Sequence, residues 1–266
     1  MKIKLFIIKV LSSLGLLKRV RMIKNNLLSL IGIDLLNPQH LQKLYSEFLS
    51  PNDLFFDIGA NEGAISDVLH QSGCRVIAVE ANPSLVEKLR IRFRPYPEIT
   101  IEHAAVSYES GEIEFFISDE MPELSSVSKE WVEESIYAGN CKWNRKVKVP
   151  AITLNNLILK YGIPKFIKID VEGYEYQVLG GLSSLVKYIS FEFSGKMIDQ
   201  TLQCISRLDE IARINKATNH YNYSSGKSYV LELDSWVESD KIVTILENIQ
   251  DDLAVGDIYC KSFSET

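Results

Sequence analysis

The chain is expected to fold as a doubly wound α/β domain around a mostly parallel sheet, and three features point there. Short apolar runs bounded by turn residues recur through its middle, among them LFFDIG (54–59), RVIAVE (75–80) and KFIKIDV (165–171); buried parallel strands have that look. Segments of helical period separate them, the alternation that builds such sheets. The first run also ends in the turn D-I-G-A-N-E-G (57–63), at the carboxyl edge where open parallel sheets bind ligands.

The elements follow in order. After LFFDIG, Ala64 to Gln71 reads as a helix and RVIAVE as the second strand. Asn82 and Pro83 open a helix from Ser84 to Phe93. TIEHAAV (100–106) is the third strand, and EIEFFIS (112–118) the fourth after the Ser110–Gly111 turn. Residues 119–145, with Trp131 and Trp143, read as an irregular insertion or lid. Helix 153–161 leads to KFIKIDV, a helix from about Tyr174, YISFEFS (188–194) and a helix over 199–214. YVLEL (229–233) and DIYCK (257–261) are the closing strands.

Composition narrows the classes. With 46% hydrophobic and 24% charged residues, a disordered chain, a collagen-like fibre and a polytopic membrane protein are excluded. A net charge of −6 is a poor footprint for nucleic acid, so none is expected as partner. Cys74, Cys141, Cys204 and Cys260 are widely spaced without a C-x-x-C pair, which argues against a disulfide framework or zinc site and for a reducing, cytoplasmic setting.

The charge is uneven. Residues 1–33 hold Lys2, Lys4, Lys9, Lys18, Arg19, Arg21 and Lys24 and no acid, a charge of +7 that leaves the remainder at −13. The longest uncharged run there, Val10 to Leu17, is far short of the roughly 20 residues that span a bilayer. Lys9 interrupts the apolar region a signal peptide would need. Residues 1–45 are therefore set apart as a basic amphipathic helical extension of a domain covering 46–266. Two readings of residues 1–33 stay open: packing on their own domain or a second subunit, as in a homo-oligomer, or peripheral attachment to the inner, anionic face of a membrane.

In the 57–63 turn, Gly59 and Gly63 let the backbone bend tightly and approach a ligand without a Cβ. Glu80 ends the second strand, 23 residues after Asp57, where an acid can accept both hydroxyls of a ribose. A dinucleotide fingerprint wants glycine where Asn61 stands, so a dehydrogenase is disfavoured. S-adenosylmethionine has no phosphate, and Asp57, Gly59, Ala60, Asn61, Gly63 and Glu80 supply the acids and glycines it needs. Ala81 and Asn82 follow at the ribose and adenine, and Ala104 and Ala105 offer a small-residue wall for the ring.

Three segments, FFDIGANEGAIS (55–66), VIAVEANPSLVEKL (76–89) and FIKIDVEGYEYQVLGGL (166–182), resemble the FkbM family of S-adenosylmethionine-dependent methyltransferases. HAAVSYESGEIEF (103–115) and ISFEF (189–193) fit the same pattern more loosely, and the resemblance spans about 50–195. It implies a seven-stranded, Rossmann-like class I methyltransferase sheet and methyl transfer to a hydroxyl of a sugar or natural product.

Residues two apart on a strand share a face, so Lys168 and Asp170 point the same way. A sugar hydroxyl is barely ionised at neutral pH and profits from a base. Asp170 is the first candidate for that base or for orienting the hydroxyl, His103 the second, and Lys168 pairs with Asp170 or Glu192 or meets an anionic substrate group. Glu172 reads as a substrate contact or helix cap, Glu192 as a substrate contact, and Glu175 as a cap. Asp170, Glu172 and Glu192 also suit Mg²⁺, but such clusters arise without metal and none is assigned. The rival in kind is a non-catalytic module that docks a partner or membrane.

Overall fold

The computed structural model describes residues 38–264 except 140 and 250. The expectation for residues 1–33 lies outside the described residues. Helix α1 (Pro38–Ser46) comes first. Its Leu41, Leu44 and Tyr45 are buried, and the Tyr45 ring meets Phe55 and Phe166 at 5.6 and 5.2 Å. The expected boundary at 45/46 thus runs through a helix packed into the core.

The core is the expected α/β sheet of seven strands. β1 (Leu54–Ile58), β2 (Arg75–Glu80), β3 (Ile99–His103), β7 (Phe166–Ile169), β8 (Tyr188–Ser194), β9 (Ala217–Ser225) and β10 (Val255–Ser264) lie in the order β3-β2-β1-β7-β8-β10-β9. The run from β3 to β8 is parallel, and β10 is antiparallel to both neighbours. β1 is buried along its whole length, as a strand covered on both faces must be. Alternate residues divide between two cores: Phe56, Ile58, Ile167 and Phe191 face one layer, and Phe55, Ala78, Phe166 and Tyr259 the other.

Helices α2 (Ala64–Gln71) and α3 (Pro83–Phe93) follow β1 and β2. Asn82 caps α3 by accepting the Ser84 N–H, with Pro83 at the first helical position. α5 (Leu154–Tyr161) begins with a Thr153/Asn156 capping box. α6 (Glu175–Gly180) follows β7, and α7 (Ile198–Ile214) joins β8 to β9.

Three expectations are corrected. TIEHAAV is broken at Ala104: β3 ends at His103, and β4 (Ala105–Val106) opens a second, three-stranded sheet. EIEFFIS, up to Ile117, belongs to β5 (Gly111–Ile117) of that sheet, paired with β6 (Arg145–Ile152), whose Lys and Arg side chains hid its strand period. YVLEL is no strand; the chain pairs at β9 instead, where buried Asn219, Asn222 and Ser224 mask the alternation. A helix, α8 (Ser239–Glu247), follows it unforeseen. The lid contains α4 (Lys129–Glu134), and Leu124, Trp131 and Cys141 form its small core.

Candidate active site

Strand register puts the chemistry on one line. Glu80 pairs with His103, and Ile58 pairs with Val79 on one side and Ile169 on the other. Ile169 pairs with Phe191, Glu192 with Asp257, and Asp257 with Ser224. One residue past the paired isoleucines, a row therefore crosses the sheet's carboxyl edge: His103, Glu80, Gly59, Asp170, Glu192, Asp257, Ser224. Residues an even number of positions inward on these strands, Ile101, Ala78, Phe55, Phe166, Tyr188 and Tyr259, belong to one core layer, so the row shares a face.

The turn after β1 is built around Glu80. Its carboxylate accepts the backbone N–H of Asn61 (2.8 Å) and of Asn82 (2.7 Å). Gly59, Asn61 and Gly63 all have positive φ. Gly59 is required because a Cβ would stand 1.8 Å from the Asp170 carbonyl oxygen; Gly63 leaves room for Phe93 and Leu89 of α3. Both glycines thus face protein rather than ligand. Burial pushes the Glu80 carboxyl up to about 7, against the two amide bonds. Ala60 is core, Ala81 packs beside the small sheet, and Ala104 and Ala105 make the crossing between sheets. His103 stands three strands from Asp170, about 14 Å at ordinary strand spacing.

The other half centres on Lys168, the only basic side chain buried among the described residues. Its Nζ lies 3.0 Å from Asp170 Oδ2 and 3.7 Å from Asp57 Oδ1. Asp57 is held in turn by the Ser66 hydroxyl at 2.6 Å. Burial alone would discharge the ammonium, but Asp170 and Asp57 hold its pKa above the ordinary lysine value. Burial likewise works against Asp170, and Lys168 with Lys227 holds it below the usual carboxylate range. Its neighbours go the other way. Oxygens of Asp170, Glu172 and Glu192 lie within 4.8 Å of one another. Burial and then the Asp170 charge push Glu172 and Glu192 well up. The same two causes bring Asp257 to about 7.

Glu175 braces the loop as a cap, its Oε1 accepting the N–H of Val171 (3.1 Å) and Gly173 (3.3 Å). Glu172, with φ 59°, sits in the turn before α6, and the Ser126 hydroxyl donates to its carbonyl at 2.7 Å. Trp131 packs over Gly173, where a Cβ would meet it at 2.9 Å. Between Trp131 and the loop lies a cavity of about 20 Å³, lined in part by Glu175, Glu192, Ser194 and Thr201. Among the described residues no helix is long and apolar enough to cross a membrane.

A family model described as "Methyltransferase FkbM domain" matches residues 57–225, more than half the chain. The chain belongs to the FkbM methyltransferase family. That family is one of S-adenosylmethionine-dependent methyltransferases, and the docking-module alternative finds no support. A hexuronic acid methyltransferase, AglP, of Haloferax volcanii is 25% identical over 161 residues, 59% of this chain and 62% of that protein. A carboxy-S-adenosyl-L-methionine synthase of Pseudomonas fluorescens is 38% identical over 56 residues, 20% of this chain and 23% of that one. The chain thus spans less than two thirds of these relatives. A structure of an O-methyltransferase from Bacillus cereus in complex with SAH aligns at 12% identity and a TM-score of 0.42, covering 85% of this chain and 80% of that one.

The turn fits the cofactor on its own evidence. Glu80 keeps acceptor capacity beyond its two amides. Asn82 Nδ2 is buried without a partner, although its Oδ1 is used in capping. Sequence reasoning passed over Ser66, Ser126, Lys227 and Asp257. Only Asp257 carried a signal: it stands two before a buried tyrosine on its strand.

Proposed function

We propose that the chain methylates a hydroxyl oxygen of a saccharide or glycosylated metabolite. The observation that carries this reading is the Lys168–Asp170 pair in the middle of the row, with Asp170 ionised beside the cofactor turn. That the matched AglP is named for a hexuronic acid supports a sugar acceptor. Glu80 takes the ribose hydroxyls, Asn82 Nδ2 meets the base, and Asp57, Gly59, Ala60, Asn61 and Gly63 shape the turn against the methionine portion. When bound, the cofactor supplies a methyl group on a sulfonium and leaves as a neutral thioether.

Asp170 accepts the hydrogen bond of the acceptor hydroxyl, which turns an oxygen lone pair toward the methyl carbon. As the O–C bond forms and the S–C bond breaks, the hydroxyl proton passes to this carboxylate. Lys168 holds Asp170 in place, and alignment supplies much of the rate. His103, three strands away, has no part in this step.

The experiment is incubation of the purified protein with methyl-labelled S-adenosylmethionine and a saccharide panel, with product linkage read by mass spectrometry and NMR. An O-methyl sugar is expected. Asp170→Asn should cut turnover at least about 100-fold and leave S-adenosylhomocysteine binding intact. Label on nitrogen or carbon, or full turnover in Asp170→Asn, overturns the reading.

A further inference from the structure

The acceptor end of the row is heavily acidic. Asp170, Glu172 and Glu192 share one spot, with Asp257 next in register and Glu175 beneath the loop. Lys168, the one cation buried among the described residues, is already committed to Asp57 and Asp170. Lys227, exposed on the turn after β9, already acts on Asp170, Glu172 and Asp257, and solvent and salt weaken what it can offer a ligand. These acids already hold one another's protons on, so a further carboxylate brought in by a substrate ionises there only at their expense, with no free buried cation among the described residues to answer it.

The cavity under Trp131 narrows the ligand further. It has room for one water-sized group. Two of its lining side chains, Trp131 (4% exposed) and Ser194 (7%), are buried with their indole Nε1 and hydroxyl Oγ unpartnered. An indole N–H only donates, and the carbonyl oxygen of the Glu192 carboxyl accepts whether or not the group holds its proton. An occupant that bridges the Trp131 indole and that Glu192 oxygen accepts one hydrogen bond and donates another. A hydroxyl does both; a metal ion cannot accept, and a carboxylate is too large and has nothing to donate.

We propose that the acceptor is an uncharged polyhydroxy sugar, that a second hydroxyl of it seats in the cavity between Trp131, Ser194 and Glu192, and that hexuronates are rejected. This rests on the saccharide reading above and narrows its substrate class.

The test uses pairs of methyl glycosides differing only at C6, each hexoside against its hexuronide, assayed with EDTA and again with Mg²⁺. The neutral member should show at least about tenfold higher kcat/KM in both conditions. Trp131→Phe keeps the ring and loses the donor; it should raise the KM for the hexoside about tenfold with kcat and S-adenosylhomocysteine binding little changed. Ser194→Ala should do the same more weakly, and one deoxy-hexoside should show the same loss and be indifferent to Trp131→Phe. Preference for the hexuronide in either condition, or an unchanged KM in both variants, overturns the inference while the saccharide reading stands. No transfer to any glycoside by protein that binds S-adenosylhomocysteine overturns the saccharide reading itself.

Discussion

The carbonyl oxygen of Asp170 stands 1.8 Å from the point a Gly59 Cβ would occupy. The cofactor turn and the loop carrying the proposed base are therefore in direct backbone contact. Gly59 also has φ 80°. Gly59→Ala should lower stability by about 2–4 kcal/mol and weaken S-adenosylhomocysteine binding and turnover together. Chemical denaturation and calorimetric titration of one preparation check both; unchanged binding would mean the two loops are not coupled.

Lys168 sits between two acids, Asp57 and Asp170. Lys168→Met removes the charge and keeps the bulk, leaving both carboxylates uncompensated. The expected cost is about 3–5 kcal/mol, larger at pH 8 than at pH 5, because Asp170, no longer held down by the lysine, can take up a proton at low pH. Denaturant titrations at the two values check the sign. Adding Asp57→Asn should recover part of the loss.

Burial raises Glu175 to about 7, against its bonds to the Val171 and Gly173 amides. In the unfolded chain a glutamate titrates near about 4.3. A folded pKa above the unfolded one gives a contribution fully present below about pH 4.3 and lost as pH climbs through 7. Stability should therefore fall across that window, by an amount on the order of 3 kcal/mol for this group. Glu175→Gln keeps the acceptor oxygen and cannot ionise, so melting curves from pH 5 to 8 should flatten. An undiminished slope would place the titration elsewhere.

Glu80, also brought to about 7 by burial, couples cofactor binding to pH. Ribose hydroxyls donating to the carboxylate favour its ionised form. Binding of S-adenosylhomocysteine should then release protons near neutrality and tighten severalfold from pH 6 to 8. Calorimetry in buffers of different ionisation heat measures the release directly. Glu80→Gln should abolish it, and Glu80→Ala should lose most of the affinity.

Much of the site was legible because its residues sit at strand ends. DIGANEG, Glu80 and KFIKIDVEG announce themselves through apolar runs closed by acids and glycines, and the structure keeps each at a carboxyl edge. The pairing of Lys168 with Asp170 follows from their two-residue spacing alone. By contrast, the strand at 217–225 escaped because its buried side chains are Asn, Tyr and Ser, and β6 because lysines line its outer face. His103 looked like a second base until sheet order set it three strands from Asp170.

The amino-acid sequence by itself determined the α/β class, the family and the acids that end each strand, since these depend on local period and turn chemistry. Which of those acids meet was decided by the tertiary structure. Asp57 and Lys168 lie far apart in the chain and become neighbours only because β7 pairs with β1; Asp257 joins Glu192 only because β10 inserts beside β8. Strand order and register arise from non-local packing of both sheet faces, and on them depend the charge of each carboxylate and the cavity beneath Trp131.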